Sequence, residues 1–267
     1  MLSPARLNIV QETDSPMRFL ITNDDGFDAP GLAALYTALS AIGTVDVVAP
    51  AVCHSGKGHA VNTRDAVRVE RRTVEPFGEI HIADSSPADC VRLGLRGLSL
   101  DPPDFVVAGI NPGANLGVDL YYSGTAAAAR EAAIMGVPSL AVSRYIRPDA
   151  LINWDELSHH ASRIVAKLIS DRYRLPSGQF WNVNFPAIPH DRQPSDFTIA
   201  PLGLLSHAIE FKTEQTSKNA TVLRYSSDFR RRGTTGNCDV SHVLDGCITV
   251  TPVDLCNTAN HTMLPSY

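Results

Sequence analysis

The chain has 267 residues, 23 basic against 28 acidic side chains, a net charge of −5, and is 44% hydrophobic and 19% charged. This is enough apolar material for one large domain, with or without an appendage, and it excludes a disordered chain. It also excludes the electrostatic footprint of a nucleic-acid binder, since the only basic runs are Arg71-Arg72 and Arg230-Arg231-Arg232.

Residues 1–17 lack the sustained apolar segment of a secretory signal and read as a short extension. Nowhere does an apolar run reach the roughly 18–20 residues that span a bilayer, so no membrane partner is expected. The five cysteines, Cys53, Cys90, Cys238, Cys247 and Cys256, are odd in number and show no C-x-x-C spacing. They argue against a disulfide framework or a zinc knuckle, and for reduced thiols in a cytoplasmic protein.

Phe19–Thr22 reads as a buried strand. Pro30 opens a helical pattern carried by Leu32, Leu35, Tyr36 and Leu39, and Gly43 ends it. Val45–Ala49 is the next strand, closed by Pro50, and the loop AVCHSGKGHA follows. Val67, Val69, Ile80 and Ile82 alternate in an extended region. SSPADCVRLGLRGL is a helix with Ser86 as N-cap, Pro87 first inside it, Asp89 in its first turn and Cys90 on its core face.

DFVVAGI is a strand, NPGANLGVDLYYSG a long Gly/Asn loop, TAAAAREAAIMG a helix of small residues and VPSLAVS a strand. This alternation is the signature of an α/β fold with a parallel sheet. Residues 153–170 form a further helix, with Leu157, Ala161, Ile164 and Leu168 as its stripe, and FWNVNFP a further strand. Beyond Pro201, TVLRYSS and CITVTPV read as strands between polar stretches. The expected organisation is an extension 1–17, a core 18–200 and a C-terminal appendage 201–267 of hairpin and helix.

Ligands of open α/β sheets bind outside the carboxyl ends of the strands. Loops 23–30, 50–60 and 109–123 leave from such ends and are rich in oxygen ligands and glycine. Asp24 and Asp25 are adjacent carboxylates whose mutual repulsion disfavours charging both unless a cation sits between or beside them. Two hard oxygens of this kind suit Mg²⁺ or Mn²⁺. The pair equally reads as a solvated turn that caps the helix at Pro30.

Ser55, in HSGKG, offers one hydroxyl to a metal or phosphate, although the segment is no phosphate-binding loop of the G-x-x-x-x-G-K type. His54, Lys57 and His59 beside it read as solvated. Asn111 and Asn115 add neutral amides. Ser123, Gly124 and Thr125 open a helix whose unpaired N–H groups suit a phosphate. Together these describe a metal beside a phosphate, hence phosphomonoester hydrolysis. No dinucleotide fingerprint follows the first strand, which argues against a nicotinamide-dependent dehydrogenase.

The segments ITNDDGFDAPGL, VVAP…HSG, SSPADCVRLGL, DFVVAGINPGANLG and YYSGTAAAAREAAIMGVPSLAVS, in this order over residues 19–143, resemble the SurE family of stationary-phase survival proteins. VSHVLDGCITVTPVD resembles the family's closing helix and strand. The resemblance implies a Rossmann-like three-layer core and homodimers or homotetramers built partly by exchanged C-terminal elements. It implies a metal-dependent nucleotidase that hydrolyses nucleoside 5′-monophosphates and also 3′-monophosphates, with short polyphosphate cleaved by some members. One divalent cation per subunit, Mg²⁺ or Mn²⁺, is implied on Asp24, Asp25, Ser55 and Asn111.

On this reading Asp24, Asp25 and Asn111 carry the chemistry, and Asn115, Ser123, Gly124 and Thr125 hold the phosphate. Two departures, AVCHSGKGHA around Ser55 and SSPADC in place of the usual G-T-P-A-D-C, leave nucleobase preference and assembly open. The alternatives are a metal- and nucleotide-binding module without turnover and, ranked last, a transferase. A haloacid-dehalogenase-type phosphatase is disfavoured because its D-x-D spacing is absent.

Overall fold

The first strand, β1 (Arg18–Thr22), buries Phe19 and Ile21 on one face and Leu20 on the other, a period of two that requires cover on both sides. The computed structural model of the chain describes residues 16–147, 151–187, 194, 196–206, 209–226, 232, 233 and 236–255. Residues 1–15 of the N-terminal extension, Arg230, Arg231 and Cys256 lie outside the described residues.

Proline starts α1 (Pro30–Ser40), which returns the chain to β2 (Thr44–Pro50) alongside β1. A hairpin of β3 (Val69–Val74) and β4 (Gly78–Ala83) extends that side. The next helix, α2 (Pro87–Arg92), has the expected cap: Ser86 Oγ accepts from the Asp89 amide, and a π-helical turn (Leu93–Gly97) continues it. The chain then crosses to the far side of β1 as β5 (Phe105–Pro112), and α3 (Gly124–Ile134) leads to β6 (Ser139–Arg144). Helix α4 (Trp154–Leu168) leads to β7 (Gln179–Phe185).

After β8 (Phe197–Ile199) come a separate two-stranded ribbon, β9 (Phe211–Thr216) with β10 (Thr221–Tyr225), then α5 (Asp239–Leu244) and β11 (Ile248–Asp254). The main sheet runs β3-β4-β2-β1-β5-β6-β7-β11-β8. It is parallel from β4 to β7, and β11 joins β7 antiparallel. This is the expected α/β architecture. β1 and β5 are the switch point, where the chain changes direction across the sheet and the loops above diverge.

Three layers follow from the side-chain pattern. Leu32, Leu35 and Leu39 of α1 and Leu157, Ile164 and Leu168 of α4 pack on the face that carries Phe19, Ile21 and Val107. On the other face, Cys90 and Val91 of α2 and Ala128 and Ala132 of α3 meet Leu20, Val106 and Ala108. Cys90 is fully buried, and burial pushes its thiol up to about 12, as expected of an inert core thiol. Cys53, Cys90 and Cys247 carry free thiols.

Three features of the chain beyond residue 185 were not evident in the sequence. Strand β11 lies inside the main sheet, although it falls in the segment 201–267 set apart above. Its Ile248 and Val250 complete the core beside Val183. Strand β8 has three residues, too few for a pattern. Strand β9, FKTEQT, is exposed at every position, so no face of it had to be apolar.

One face of β6, β7 and β11 is polar yet buried. Ser143, Asn182, Asn184, Thr249 and Thr251 are at most 2% exposed. Asn184 Oδ1 accepts from the Asn115 amide at 2.9 Å, while Asn182 Nδ2 (2.9 Å) and Asn184 Nδ2 (3.0 Å) donate to the Asn115 carbonyl. Asn115 Nδ2 donates to Ser143 Oγ at 2.7 Å. The sheet thus grips one residue of the loop after β5 from four directions. Replacing Asn184 by alanine strands a buried N–H and weakens the hold on a buried carbonyl. Asn184→Ala is expected to lower the unfolding free energy by about 2–4 kcal/mol in urea denaturation. A cost under about 0.5 kcal/mol would show that the grip contributes nothing.

Candidate active site

The turn after β1 is closed by Asn23, whose Nδ2 donates to the Gly26 carbonyl (2.8 Å) and whose Oδ1 accepts from the Gly26 amide (3.3 Å). This fold-back turns Asp24 inward, 4% exposed, and leaves Asp25 half-buried. Asp24 Oδ1 accepts from Thr125 Oγ1 at 2.5 Å, across the switch point to the first turn of α3. At Gly124 a side chain would meet Asp24: a β-carbon there would lie 2.7 Å from Asp24 Cβ. Glycine is therefore required for the carboxylate to sit against the helix.

Burial raises the Asp24 carboxyl above its ordinary value, and the Thr125 hydroxyl and the backbone amides of Asp24, Gly124 and Thr125 pull the other way. Asp25 is pushed up to about 6, first by burial and then by the charge of Asp24, against a hydrogen bond from Ser55. Asp25 Oδ2 is buried with no hydrogen-bond partner among the described residues.

Ser55 stands on an exposed loop whose His54 amide donates to the Asp24 carbonyl at 2.7 Å. The Cys53 thiol lies 3.0 Å from Ser55 Oγ. Burial, then Lys57, lowers the His54 pKa below its ordinary value of 6.5, which makes it a neutral ring at pH 7 rather than a cationic anchor. From the other side of the switch point, Asn111 at the end of β5 donates Nδ2 to the Gly113 carbonyl at 2.6 Å. That commits its amide nitrogen to its own loop and leaves the oxygen for an outside partner.

These groups meet in one pocket of about 690 Å³, the size of a small-molecule site. Of the residues singled out in the sequence, Asp24, Asp25, Ser55, Asn111, Asn115 and Ser123 line it. Gly124 and Thr125 lie beneath, against Asp24. At the start of α3, where the sequence suggests a phosphate, the amides of Gly124 and Thr125 favour the Asp24 carboxylate, and Ser123 Oγ accepts from Ala126. The nearest anion to the helix end is the protein's own.

The opposite wall carries Tyr122, Ile209, Phe211 and Tyr225. Phe211 and Tyr225 pack edge to face across the ribbon, ring centroids 5.8 Å apart, and each is more than half exposed. Sequence reasoning missed this wall. Its signals were Phe211 in an otherwise polar strand and Tyr225 at the end of TVLRYSS, which reads as a strand with no role in the site. It also missed Asp239, fully buried at the start of α5, which accepts from the amides of Gly117 and Gly203, both at 2.8 Å, and so holds two loops around the pocket. Asn182 and Asn184 had a signal too, since N-x-N puts both amides on one face of a strand.

Among the described residues, no group of three or more His, Cys, Asp or Glu side chains converges to hold a metal. A cation here would rest on two carboxylates and neutral oxygens, the donor set of a hard divalent ion. The orphaned Asp25 Oδ2 and the raised pKa of both acids fit such an ion. No helix among the described residues is long and apolar enough to cross a membrane.

The family model for survival protein SurE matches residues 19–208. The 5′-nucleotidase SurE of Desulfatibacillum aliphaticivorans is 36% identical over 250 residues, 93% of this chain and 96% of that one. The 5′-nucleotidase SurE of Chloroflexus aggregans is 47% identical over 173 residues, 64% of this chain and 67% of that one. The crystal structure of the SurE protein from Aquifex aeolicus superposes with a TM-score of 0.77 at 32% identity, covering 92% of this chain and 96% of the other.

The raised Asp25 pKa gives a pH signature without any substrate. Without a cation, the folded chain binds more protons than the unfolded one between 3.8 and about 6. This contribution to stability is fully present below the lower value and lost as pH rises through the upper. In chelator, Asp25→Asn should therefore melt higher than the parent at about pH 7.5, and the gap should narrow toward about pH 4. A gap that stays constant with pH would contradict the assignment.

Proposed function

The chain belongs to the SurE family, and we propose that it is a divalent-metal-dependent 5′-nucleotidase that hydrolyses nucleoside 5′-monophosphates to nucleoside and phosphate. The observation that carries this reading is the pocket's two-ended chemistry, with paired carboxylates at one end and aromatic rings at the other. Nucleoside 3′-monophosphates and short polyphosphate fall under the same proposal, because the acidic end reads a phosphate group rather than its attachment. Self-association into dimers or tetramers belongs to it as well. The exposed apolar side chains Leu204, Leu205, Val222 and Leu223 support that part.

Asp24, Asp25, Ser55 and Asn111 would hold one Mg²⁺ or Mn²⁺. Such an ion would supply neutralisation of the carboxylate pair and Lewis acidity toward a phosphoryl oxygen. The chain's own contributions follow from the geometry. Thr125 and Gly124 fix Asp24 in one place. Asp25 shares the ion with Asp24, and its Oδ2 is the carboxylate oxygen without a partner among the described residues.

As the water oxygen bonds to phosphorus and gives up its proton to solvent, the ester P–O bond breaks and the leaving ribose oxygen takes a proton from solvent, giving nucleoside and inorganic phosphate. The Ser123 hydroxyl accepts from Ala126 and keeps its own proton for a phosphate oxygen. Asn115 spends its amide nitrogen on Ser143, so its part is to fix the course of the loop. Tyr122, Phe211 and Tyr225 offer π-faces to the base.

Phosphate release from a panel of nucleoside 5′- and 3′-monophosphates, after chelation and then with Mg²⁺ or Mn²⁺ restored, tests the proposal. Release should vanish on chelation and return with metal. Asp24→Ala should remove at least about a thousandfold of kcat while the protein stays folded. Nucleotide binding without phosphate release by the folded parent protein would favour a binding module instead. Phe211→Ala should raise KM for nucleotides about tenfold and leave glycerol 2-phosphate unaffected. Equal effects on both substrates would refute the base-stacking role.

A further inference from the structure

Helix α3 carries a buried acid that the pocket does not use. Glu131, 3% exposed, lies two turns after the helix start, and both of its oxygens are engaged: Oε2 with His59 Nε2 at 2.7 Å and Oε1 with Arg92 Nε at 2.6 Å. Arg92 belongs to α2, so one of these contacts ties two packed helices together. The other is of a different kind. His59 follows Ser55 by four residues on the same loop, and its ring ties that loop to α3.

Ser55 is exposed, and Gly56 and Gly58 take left-handed angles, φ +70° and +61°. The other holds on this segment are the amides of His54 to the Asp24 carbonyl, Gly58 to the Tyr122 carbonyl (3.0 Å) and Asn62 to Asp89 Oδ2 (2.9 Å), the Ser55 side chain to Asp25, and Ser86 Oγ donating to the Ala60 carbonyl at 2.6 Å. A hydroxyl that must reach Asp25 from such a loop needs a fixed point, and the buried carboxylate provides one. The same helix presents Ser123 and Thr125 at its first turn. A single rigid element thus sets the spacing between the Asp24 side of the pocket and the Ser55 side.

We propose that Glu131 is a positioning residue, which through His59 holds the Ser55 loop at the pocket. The inference rests on the reading of Ser55 as an oxygen donor of the proposed nucleotidase site. His59 is the end to substitute, because removing Glu131 would also strand Arg92 and confuse a folding defect with a positioning one. Three variants of the full chain separate the roles: His59→Ala cuts the loop tether, His59→Gln keeps a donor near the position of Nε2, and Arg92→Ala cuts the helix–helix contact, with the longer ion pair to Asp89 (3.7 Å), while His59 stays in place.

Amide hydrogen exchange over residues 53–59 reads the tether without substrate or metal. It should speed up at least about fivefold in His59→Ala and stay near the parent rate in His59→Gln and Arg92→Ala. Titration with Mn²⁺ alone should show about tenfold weaker binding in His59→Ala only. In turnover, His59→Ala should lose about 10- to 100-fold in kcat with KM changed less than about threefold, and His59→Gln should recover most of it.

Unchanged exchange over 53–59 in His59→Ala overturns the proposal whatever the activity. An equal loss in Arg92→Ala does the same, because it would mark a general packing defect. A parent protein that releases no phosphate with any metal refutes the nucleotidase reading instead, and exchange still decides the tether.

Discussion

Desolvation of two adjacent carboxylates at the end of a buried strand is the constraint around which the upper half of the molecule is arranged. Left alone, Asp24 would shed its charge on burial. Its neighbours are placed to oppose that: a hydroxyl from Thr125, amides at the start of α3, and a glycine where any side chain would push the carboxylate away. Asp25 gets less help. It keeps one oxygen without a partner among the described residues, and burial together with the charge of Asp24 pushes it up to about 6.

A second buried carboxylate, Asp239, shows what full satisfaction looks like. Its two oxygens accept from the amides of Gly117, Gly203 and Val240. Burial raises its pKa while these amides and Arg232 lower it. Nothing about it invites a ligand, and its work is to join three stretches of chain distant in sequence. Burial alone therefore does not mark a functional acid. The distinction lies in whether the surroundings leave an oxygen free and whether that oxygen faces a cavity.

Much of this was legible in the sequence because the core elements obey local rules. Pro30 and Ser86 mark the starts of their helices, and the alternation in β1 requires a sheet covered on both faces. Asp24, Asp25, Ser55 and Asn111 declare themselves by sitting at strand ends. What the sequence hid is what depends on tertiary placement. Strand β9 has no buried face and hence no pattern, although its partner β10 was legible in TVLRYSS. The tether from His59 to Glu131 joins residues 72 apart, and a histidine in a Gly-rich loop looks solvated until its partner is known.

The two ends of the pocket are built from material under unlike constraint. The acidic end is assembled from strand termini and a helix packed on the sheet, where one atom too many collides with a neighbour. The aromatic end rides on a ribbon whose described side chains all face solvent or the pocket. Exchanges on such a surface shift stability by only about ±0.5 kcal/mol. Substitutions on the ribbon can therefore reshape one wall of the pocket while the strand ends at its base stay as they are. A change of diet in this architecture requires no change of fold.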